Sequence, residues 1–182
     1  MVLLHVKVVK NFSLVYSVRM EADFVSKILD QWKRERPDLD TSTMAIIGRI
    51  SRLARFFEAQ IEGNLAKSGL HGGRFDVLAA LRRSGAPFSL SPTQLREQMM
   101  LSSGATTHRI DLLEKERLVE RLNDPEDRRG VIVRLTESGK RLVDEVLDSH
   151  IMIEAELLKS LAQRQRYDLG VLLEGLSQGY GI

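Results

Sequence analysis

Apolar and polar residues follow two different periods along this chain, and the changes of period divide it into predicted helices and one predicted hairpin. In residues 21–36 apolar side chains recur three and four positions apart until Pro37 interrupts them. This spacing predicts an amphipathic helix that ends before the proline. The apolar stripe of this helix consists of Val25, Ile28, Leu29 and Trp32.

A second, longer helix is predicted after a short turn at residues 37–40. Side-chain oxygens in residues 40–42 can cap its first turn. Its apolar stripe continues to about Ile61, and the pair Gly63-Asn64 is expected to end it.

Three shorter helices are predicted in the middle of the chain. The first covers residues 75–83, after the turn His71-Gly72-Gly73 and before Ser84-Gly85. The second begins at Ser91-Pro92, because proline suits the first turn of a helix. The third covers residues 103–116.

A change to period two follows these helices. After the turn Asn123-Asp124-Pro125, the residues Val131, Val133 and Leu135 fall on one face. Alternation of this kind after a turn predicts a β-hairpin, whose first arm contains Leu118, Val119 and Leu122.

Two further helices are predicted beyond the hairpin. Thr136 can cap a helix that extends to about Leu158, and a last helix carries Leu169, Leu172, Leu173 and Leu176. Both are too apolar to remain exposed on an isolated domain. Periodicity alone allows two interpretations: the flanking helices pack on one another within one chain, or they form the interface of a two-fold dimer.

The predicted fold class is therefore mainly α with a small β-hairpin wing, a winged helix-turn-helix with flanking helices. We divide the chain into N-terminal helices at 20–65, the winged module at 66–139 and C-terminal helices at 140–182. Residues 1–19 make a poor signal peptide, and a stretch with the composition of a surface helix follows Met20. We therefore expect residues 1–19 to be an extension or a mis-assigned start, with Met20 as the physiological first residue.

Composition narrows the function. The 182 residues are 43% hydrophobic and 29% charged, with a net charge of +2, so any affinity for nucleic acid must come from local placement of arginine. Cysteine is absent, which excludes disulfides and thiolate metal sites. No apolar run is long enough to suggest a membrane span, and we expect a cytoplasmic protein.

Catalysis has little support. The four histidines, His5, His71, His108 and His150, have no metal-ligand spacing, and no glycine-rich phosphate loop or nucleophile elbow occurs. We therefore expect no enzyme activity, no metal and no cofactor.

The third middle helix is the candidate for the major groove. Successive helical residues lie 100° apart, so Thr106, Ile110 and Leu113 share one side, which should be buried. Gly104, Thr107, His108 and Asp111 share a polar side that DNA could contact. Candidate contacts are Ser102, Ser103, Thr107 and His108. The alternatives are a helix cap for Ser102 and a solvated face for Thr107 and His108.

The tip of the hairpin carries Asp127, Arg128 and Arg129. A long cation can enter a narrow minor groove or bind phosphate, and the carboxylate can hold one guanidinium in place through a salt bridge. The alternative is a surface hairpin with solvated charges.

Arg109 falls on neither of these faces. It lies about 200° from Thr107 and so points back toward the protein. A buried cation is costly unless it is paired, so we expect an acidic partner or an anionic ligand for Arg109. Asp76, beside the small residues Ala79 and Ala80, is a reasonable partner.

The spacing Asp127-x-Arg129-x-x-x-Val133-x-Leu135-Thr136-x-x-Gly139 resembles the wing signature of the MarR family of bacterial transcription regulators. The resemblance implies a homodimer formed by the flanking helices, a pseudo-palindromic DNA operator, and a minor-groove role for Arg129, with Arg128 on the backbone. One departure is Arg117, where the family usually has glycine. A non-glycine residue there pays on the order of 1 kcal/mol if it adopts a positive φ.

A second set of residues resembles the PecS-like, urate-responsive subgroup of this family. They are Trp32, the segment Arg34-Glu35-Arg36-Pro37-Asp38-Leu39-Asp40, the segment Phe75-Asp76-Val77-Leu78, and Arg109. The resemblance implies that Trp32, Asp76 and Arg109 contact urate or a related purine such as xanthine, which lowers DNA affinity. Arg121 is a weaker fourth candidate that could brace Asp76 or touch the ligand.

Each ligand candidate also has a structural alternative: a core position for Trp32, a local cap or pair for Asp76, and a structural salt bridge for Arg109. Two other functions also remain open. One is a regulator that responds to phenolic or other aromatic anions, and the other is a winged-helix DNA-binding protein without an effector.

Overall fold

The computed structural model describes residues 23–99, 103–124 and 130–181 of the chain. The predicted extension at residues 1–19 lies outside them. The described elements are α1 (Phe24–Glu35), α2 (Ser42–Ala66), α3 (Gly72–Arg83), β1 (Ser89–Leu90), α4 (Pro92–Met99), α5 (Ser103–Lys115), β2 (Val119–Asn123), β3 (Val131–Leu135), α6 (Glu137–Leu157) and α7 (Gln163–Gln178). The chain divides into two compact units, Met1–Arg55 and Phe56–Ile182.

In the first unit, α1 packs on the beginning of α2. Asp23 caps α1 by accepting a hydrogen bond of 2.8 Å from the Ser26 amide. The Arg49 guanidinium donates to the same carboxylate at 2.8 Å, and these two interactions hold the pKa of Asp23 below its usual value. Gly48 lets the helices approach, because a Cβ there would lie 3.3 Å from a methyl carbon of Val25.

The core of the second unit surrounds α3, which packs against α4, α5, α6 and β3. α3 contributes Phe75, Val77, Leu78, Ala80 and Leu81 to this core. The other buried members are Leu65, Leu70, Leu90, Leu95, Ile110, Leu113, Val119, Val133, Leu135, Val143 and Val146. Because α5 and the hairpin strands β2 and β3 share one core with α3, their positions depend on the position of α3.

Two boundaries differ from the sequence expectation. Gly63-Asn64 does not end α2, which continues to Ala66; the left-handed residue that follows its end is Gly69, with φ of 70°. The Leu70 amide then donates to the Leu65 carbonyl at 3.1 Å. α3 begins at Gly72, earlier than expected, with His71 as its N-cap.

The hairpin is part of a three-stranded antiparallel sheet of order β1-β3-β2. Val119 pairs with Leu135 and Asn123 with Val131, as a hairpin requires. The additional strand β1 places Leu90 opposite Val133. Sequence periodicity could not reveal β1, since two residues show no period.

The glycine of the wing signature has a steric reason. A Cβ at Gly139 would lie 1.9 Å from the Leu118 carbonyl oxygen. Thr136 caps α6 beside it by accepting from the Gly139 amide at 3.0 Å. Only glycine therefore lets the first turn of α6 rest on the chain that leaves α5.

Arg117, the departure from the family pattern, adopts the left-handed conformation with φ of 59°. Its amide donates to the Glu114 carbonyl at 2.9 Å, and the Leu118 amide donates to the Leu113 carbonyl at 2.9 Å. This pair of bonds is the Schellman motif, which normally carries glycine at the left-handed position.

The C-terminal helices expose large apolar side chains. The exposed ones on α6 and α7 are Leu147, Ile151, Met152, Tyr167, Leu169, Val171, Leu172, Leu173 and Leu176. None of the described helices is both long enough and apolar enough to cross a membrane.

Candidate DNA-binding surface and ligand site

The two predicted faces of the recognition helix α5 are confirmed by burial. Thr106, Ile110 and Leu113 are almost fully buried. Gly104, Thr107, His108 and Asp111 are exposed on the other side. Thr107 and His108 are therefore on the polar face that was expected to meet DNA.

Several predicted DNA contacts fall outside the described residues. These are Ser102, just before α5, and the wing residues Arg128 and Arg129; Asp127, predicted to form a salt bridge in the wing, also falls outside them. Ser103 is the first residue of α5. Their assignments to DNA stay predictions.

Arg121 connects the wing to the recognition helix. It lies on β2, and its guanidinium forms ion pairs with Asp111, at 2.5 Å, and with Glu114 of α5. Its amide also donates to Glu114 at 3.2 Å. Burial is the largest single effect on the pKa of Arg121 and lowers it, but the hydrogen bonds and charges of the two carboxylates together outweigh burial and raise this pKa. The structure thus pairs Arg121 with α5, whereas the sequence suggested it as a brace for Asp76 or as a ligand contact.

Arg109 turns away from the polar face, as the helical geometry predicted, and lies against the first turn of α3. A Cβ at Gly73 would be 2.3 Å from Arg109 Cζ and 2.5 Å from Nε. The residue is half-buried. Within the described part of the chain its guanidinium has no hydrogen bond and no ion pair. It is thus a cation on the recognition helix whose hydrogen-bonding capacity is unused.

Asp76 lies one turn further along α3. The residue is exposed, yet partial loss of hydration around its carboxyl raises the pKa of Asp76. The charges of Arg109 and Arg83 oppose this shift, and the charge of Glu62 adds to it. Among the described residues Asp76 has no hydrogen bond or ion pair. The charge of Arg109 therefore influences the pKa of Asp76 although the two side chains do not form an ion pair.

His150 of α6 was missed as a site residue from the sequence. Its ring packs on Phe75 with centroids 4.8 Å apart, and His150 lies close enough to Asp76 to influence its charge. Nε2 pairs with Glu154 at 3.2 Å, while Nδ1 is buried without a hydrogen-bond partner in the described structure. No local motif could have shown this, because the ring contact joins distant parts of the sequence.

Trp32 belongs to the first unit. It is 40% exposed, which excludes the alternative of a core position within that unit. The Arg36-Pro37-Asp38 segment that follows it is ordered by a bidentate ion pair, with Arg36 donating to Asp38 at 2.7 and 2.8 Å.

The described residues contain no group of three or more metal-ligating side chains. The second unit does bring together the Asp76 carboxyl and the Arg109 guanidinium, beside the largely buried imidazole of His150. Neither Asp76 nor Arg109 has a direct partner among the described residues. Donors and acceptors of this kind can hold a small polar anion.

Comparisons with known proteins agree with this geometry. The MarR family model matches residues 68–130. The transcriptional regulator PecS of Dickeya dadantii is 36% identical over 149 residues, covering 82% of this chain and 90% of its own.

Two solved structures extend the comparison. A mutant MarR from E. coli complexed with operator DNA superimposes with a TM-score of 0.65 at 24% identity, covering 80% of this chain and 96% of its own. BpsR of Bordetella bronchiseptica, whose DNA binding is regulated by 6-hydroxynicotinic acid, superimposes with a TM-score of 0.64 at 26% identity, covering 72% and 98%.

The winged helix-turn-helix fold, the buried and exposed faces of α5 and the 36% sequence identity to PecS support one conclusion. The chain belongs to the MarR family of transcription regulators, in its PecS-like subgroup, and it is a DNA-binding regulator rather than an enzyme.

Proposed function

We propose that this protein is a homodimeric repressor that leaves a pseudo-palindromic operator when urate or a related purine anion binds beside its recognition helix. The observation that carries the proposal is Arg109: a half-buried residue of α5, seated on Gly73, whose guanidinium has no hydrogen bond or ion pair among the described residues. Asp76 nearby is equally unpaired within them and has a raised pKa.

The ligand chemistry follows from these two groups. The guanidinium of Arg109 can bind an anionic oxygen, and the carboxyl of Asp76 can bond to ring N–H groups. Trp32 supplies an exposed indole that suits a flat heteroaromatic ring. Urate and xanthine offer all three features in one molecule.

Dimerisation is supported by the exposed apolar residues of α6 and α7, which would otherwise face water. A two-fold dimer would place two recognition helices about one helical turn apart, roughly 34 Å. Each helix would present Ser102, Ser103, Thr107 and His108, and each wing Arg128 and Arg129, with Asp127 holding a guanidinium.

The coupling runs through α5. A ligand that draws Arg109 toward it would move the helix that carries Thr107 and His108. Because Arg121 ties β2 to Asp111 and Glu114 on the same helix, the wing would move with it. Such a ligand lowers DNA affinity only if it binds the free and DNA-bound conformations unequally.

Thermal-shift titrations with urate and xanthine test the ligand site. We expect a saturable rise in Tm for the wild type that Asp76→Ala and Arg109→Ala reduce. If neither purine stabilises the wild type, or if both variants respond fully, the purine site is wrong.

The wing is tested separately with Arg129→Ala. We expect weaker binding in a gel-shift titration and an unchanged elution volume in gel filtration. Unchanged DNA affinity would refute the assignment of the wing.

A second candidate effector is an aromatic carboxylate. The DNA binding of the structural relative BpsR is regulated by 6-hydroxynicotinic acid, and a carboxylate on a flat ring would also suit Arg109. Including 6-hydroxynicotinate in the same titrations decides between the two ligand classes.

A further inference from the structure

A small cleft lies between the two helices of the helix-turn-helix. It has a volume of about 80 Å³, and its lining residues come from α4 and α5: Pro92, Thr93, Arg96, Thr106 and Thr107. This volume holds several water-sized groups. None of the lining residues is acidic.

Arg96 distinguishes this cleft from an ordinary surface groove. It is exposed on α4, and in the described part of the chain its guanidinium has no hydrogen bond and no ion pair. Two other arginines of the same unit are paired, Arg82 with Asp144 at 2.7 Å and Arg74 with Glu116. The cleft therefore offers a cation that no described carboxylate neutralises, beside threonine side chains.

The cleft also opens beside the DNA-facing side of α5. Thr107 belongs both to its lining and to the exposed polar face that includes His108. In a helix-turn-helix the first helix crosses the DNA backbone while the second enters the major groove. A cation at this place therefore suits the phosphate backbone of the strand that borders the groove.

We propose that Thr93 and Arg96 form a seat for one phosphodiester group of the DNA backbone, with Arg96 supplying the charge and Thr93 supplying a hydroxyl donor. The seat fixes the register of α5 in the groove without selecting a base, since phosphate contacts carry no sequence information directly. It rests on the DNA-binding function and is additional to the roles assigned to the wing and to the polar face of α5.

Salt dependence tests this seat directly. Fluorescence anisotropy would measure the affinity of the full-length protein for two labelled duplexes of roughly 30 base pairs, about three helical turns. One duplex comes from the intergenic DNA upstream of its own gene, and the other is a shuffled sequence of the same composition. Both are titrated with the wild type, Arg96→Gln and Arg96→Lys over a range of chloride concentrations.

We expect Arg96→Gln to weaken binding to both duplexes by roughly tenfold at low salt. The slope of log K against log salt should become shallower by about 0.9 for each phosphate that is no longer neutralised, or about 1.8 for the proposed dimer. Arg96→Lys should keep the wild-type slope because it keeps the charge.

Arg141→Gln is the matched control. Arg141 is an exposed arginine of α6, likewise without an ion pair or hydrogen bond among the described residues, and α6 packs on α3 and β3 rather than on α4. The substitution removes the same charge, and its slope should match the wild type.

Two outcomes would overturn the proposal. The first is an unchanged slope for Arg96→Gln, and the second is weakening confined to the upstream duplex, which would indicate a base contact. Circular dichroism confirms that each variant is folded.

Discussion

Replacing Gly73 with alanine displaces Arg109 without changing its charge. An added Cβ would lie 2.3, 2.5 and 2.6 Å from Cζ, Nε and Nη2 of Arg109. Carbon atoms that touch are normally about 3.5–4.0 Å apart. The guanidinium must therefore retreat by about 1.2–1.7 Å, the difference between that normal separation and the 2.3 Å distance.

A displacement of this size is large for a hydrogen bond, whose donor–acceptor distance spans only about half an ångström. Losing one bond to a charged group costs about 1.5–3 kcal/mol. The Kd for the purine should therefore rise by roughly 10- to 100-fold. Stability should change in the opposite direction, because alanine in a helix is favoured over glycine by about 0.5–1 kcal/mol.

Isothermal titration with urate and a thermal melt measure the two effects on one preparation. Gly63→Ala serves as the matched control, since Gly63 is also helical and a Cβ there meets nothing within 4 Å. The control should keep the wild-type Kd. If Gly73→Ala binds urate as tightly as the wild type does, the position of Arg109 does not determine ligand binding. A lower Tm would refute the expected stability change.

Three further changes test the physical account of the fold and the site. Asp76→Asn should raise Tm at neutral pH, because the raised pKa of Asp76 means that ionisation of its carboxyl opposes folding. The increase in Tm over the wild type should shrink as pH falls and vanish below the usual aspartate pKa. A gain independent of pH would contradict this. Gly139→Ala should destabilise the protein by about 1–3 kcal/mol, seen as a lower urea midpoint, since its Cβ meets the Leu118 carbonyl oxygen at 1.9 Å; an unchanged midpoint would refute the close approach. Arg117→Gly should raise the free energy of unfolding by up to about 1 kcal/mol by relieving the positive φ of Arg117, and a lower free energy of unfolding would show that its side chain contributes to the fold.

Periodicity in the sequence was sufficient to predict which side chains are buried wherever this depends on a single helix or strand. The 100° geometry of a helix separated buried Ile110 from exposed Thr107 on α5. The alternation of Val133 and Leu135 likewise predicted β3. The same helical geometry predicted that Arg109 points back toward the protein. These predictions succeed because they need only the repeat of one helix or strand.

Features that depend on two distant segments could not be obtained in this way. The packing of Phe75 on His150 and the seating of Arg109 on Gly73 each join separate elements. The pairing of Arg121 with Asp111 rather than Asp76 depends on where β2 lies relative to α5. In each case the sequence supplied the residue types, and tertiary packing selected the partner.

The central claim is that a purine anion bound beside α5 releases DNA. The most direct measurement is a gel-shift titration on the intergenic DNA upstream of the gene, with and without urate, for the wild type and Arg109→Ala. We predict a discrete complex that urate dissociates for the wild type, and a complex that persists in urate for Arg109→Ala. A wild-type complex that urate leaves intact, or one that it dissociates equally in the variant, would contradict the account.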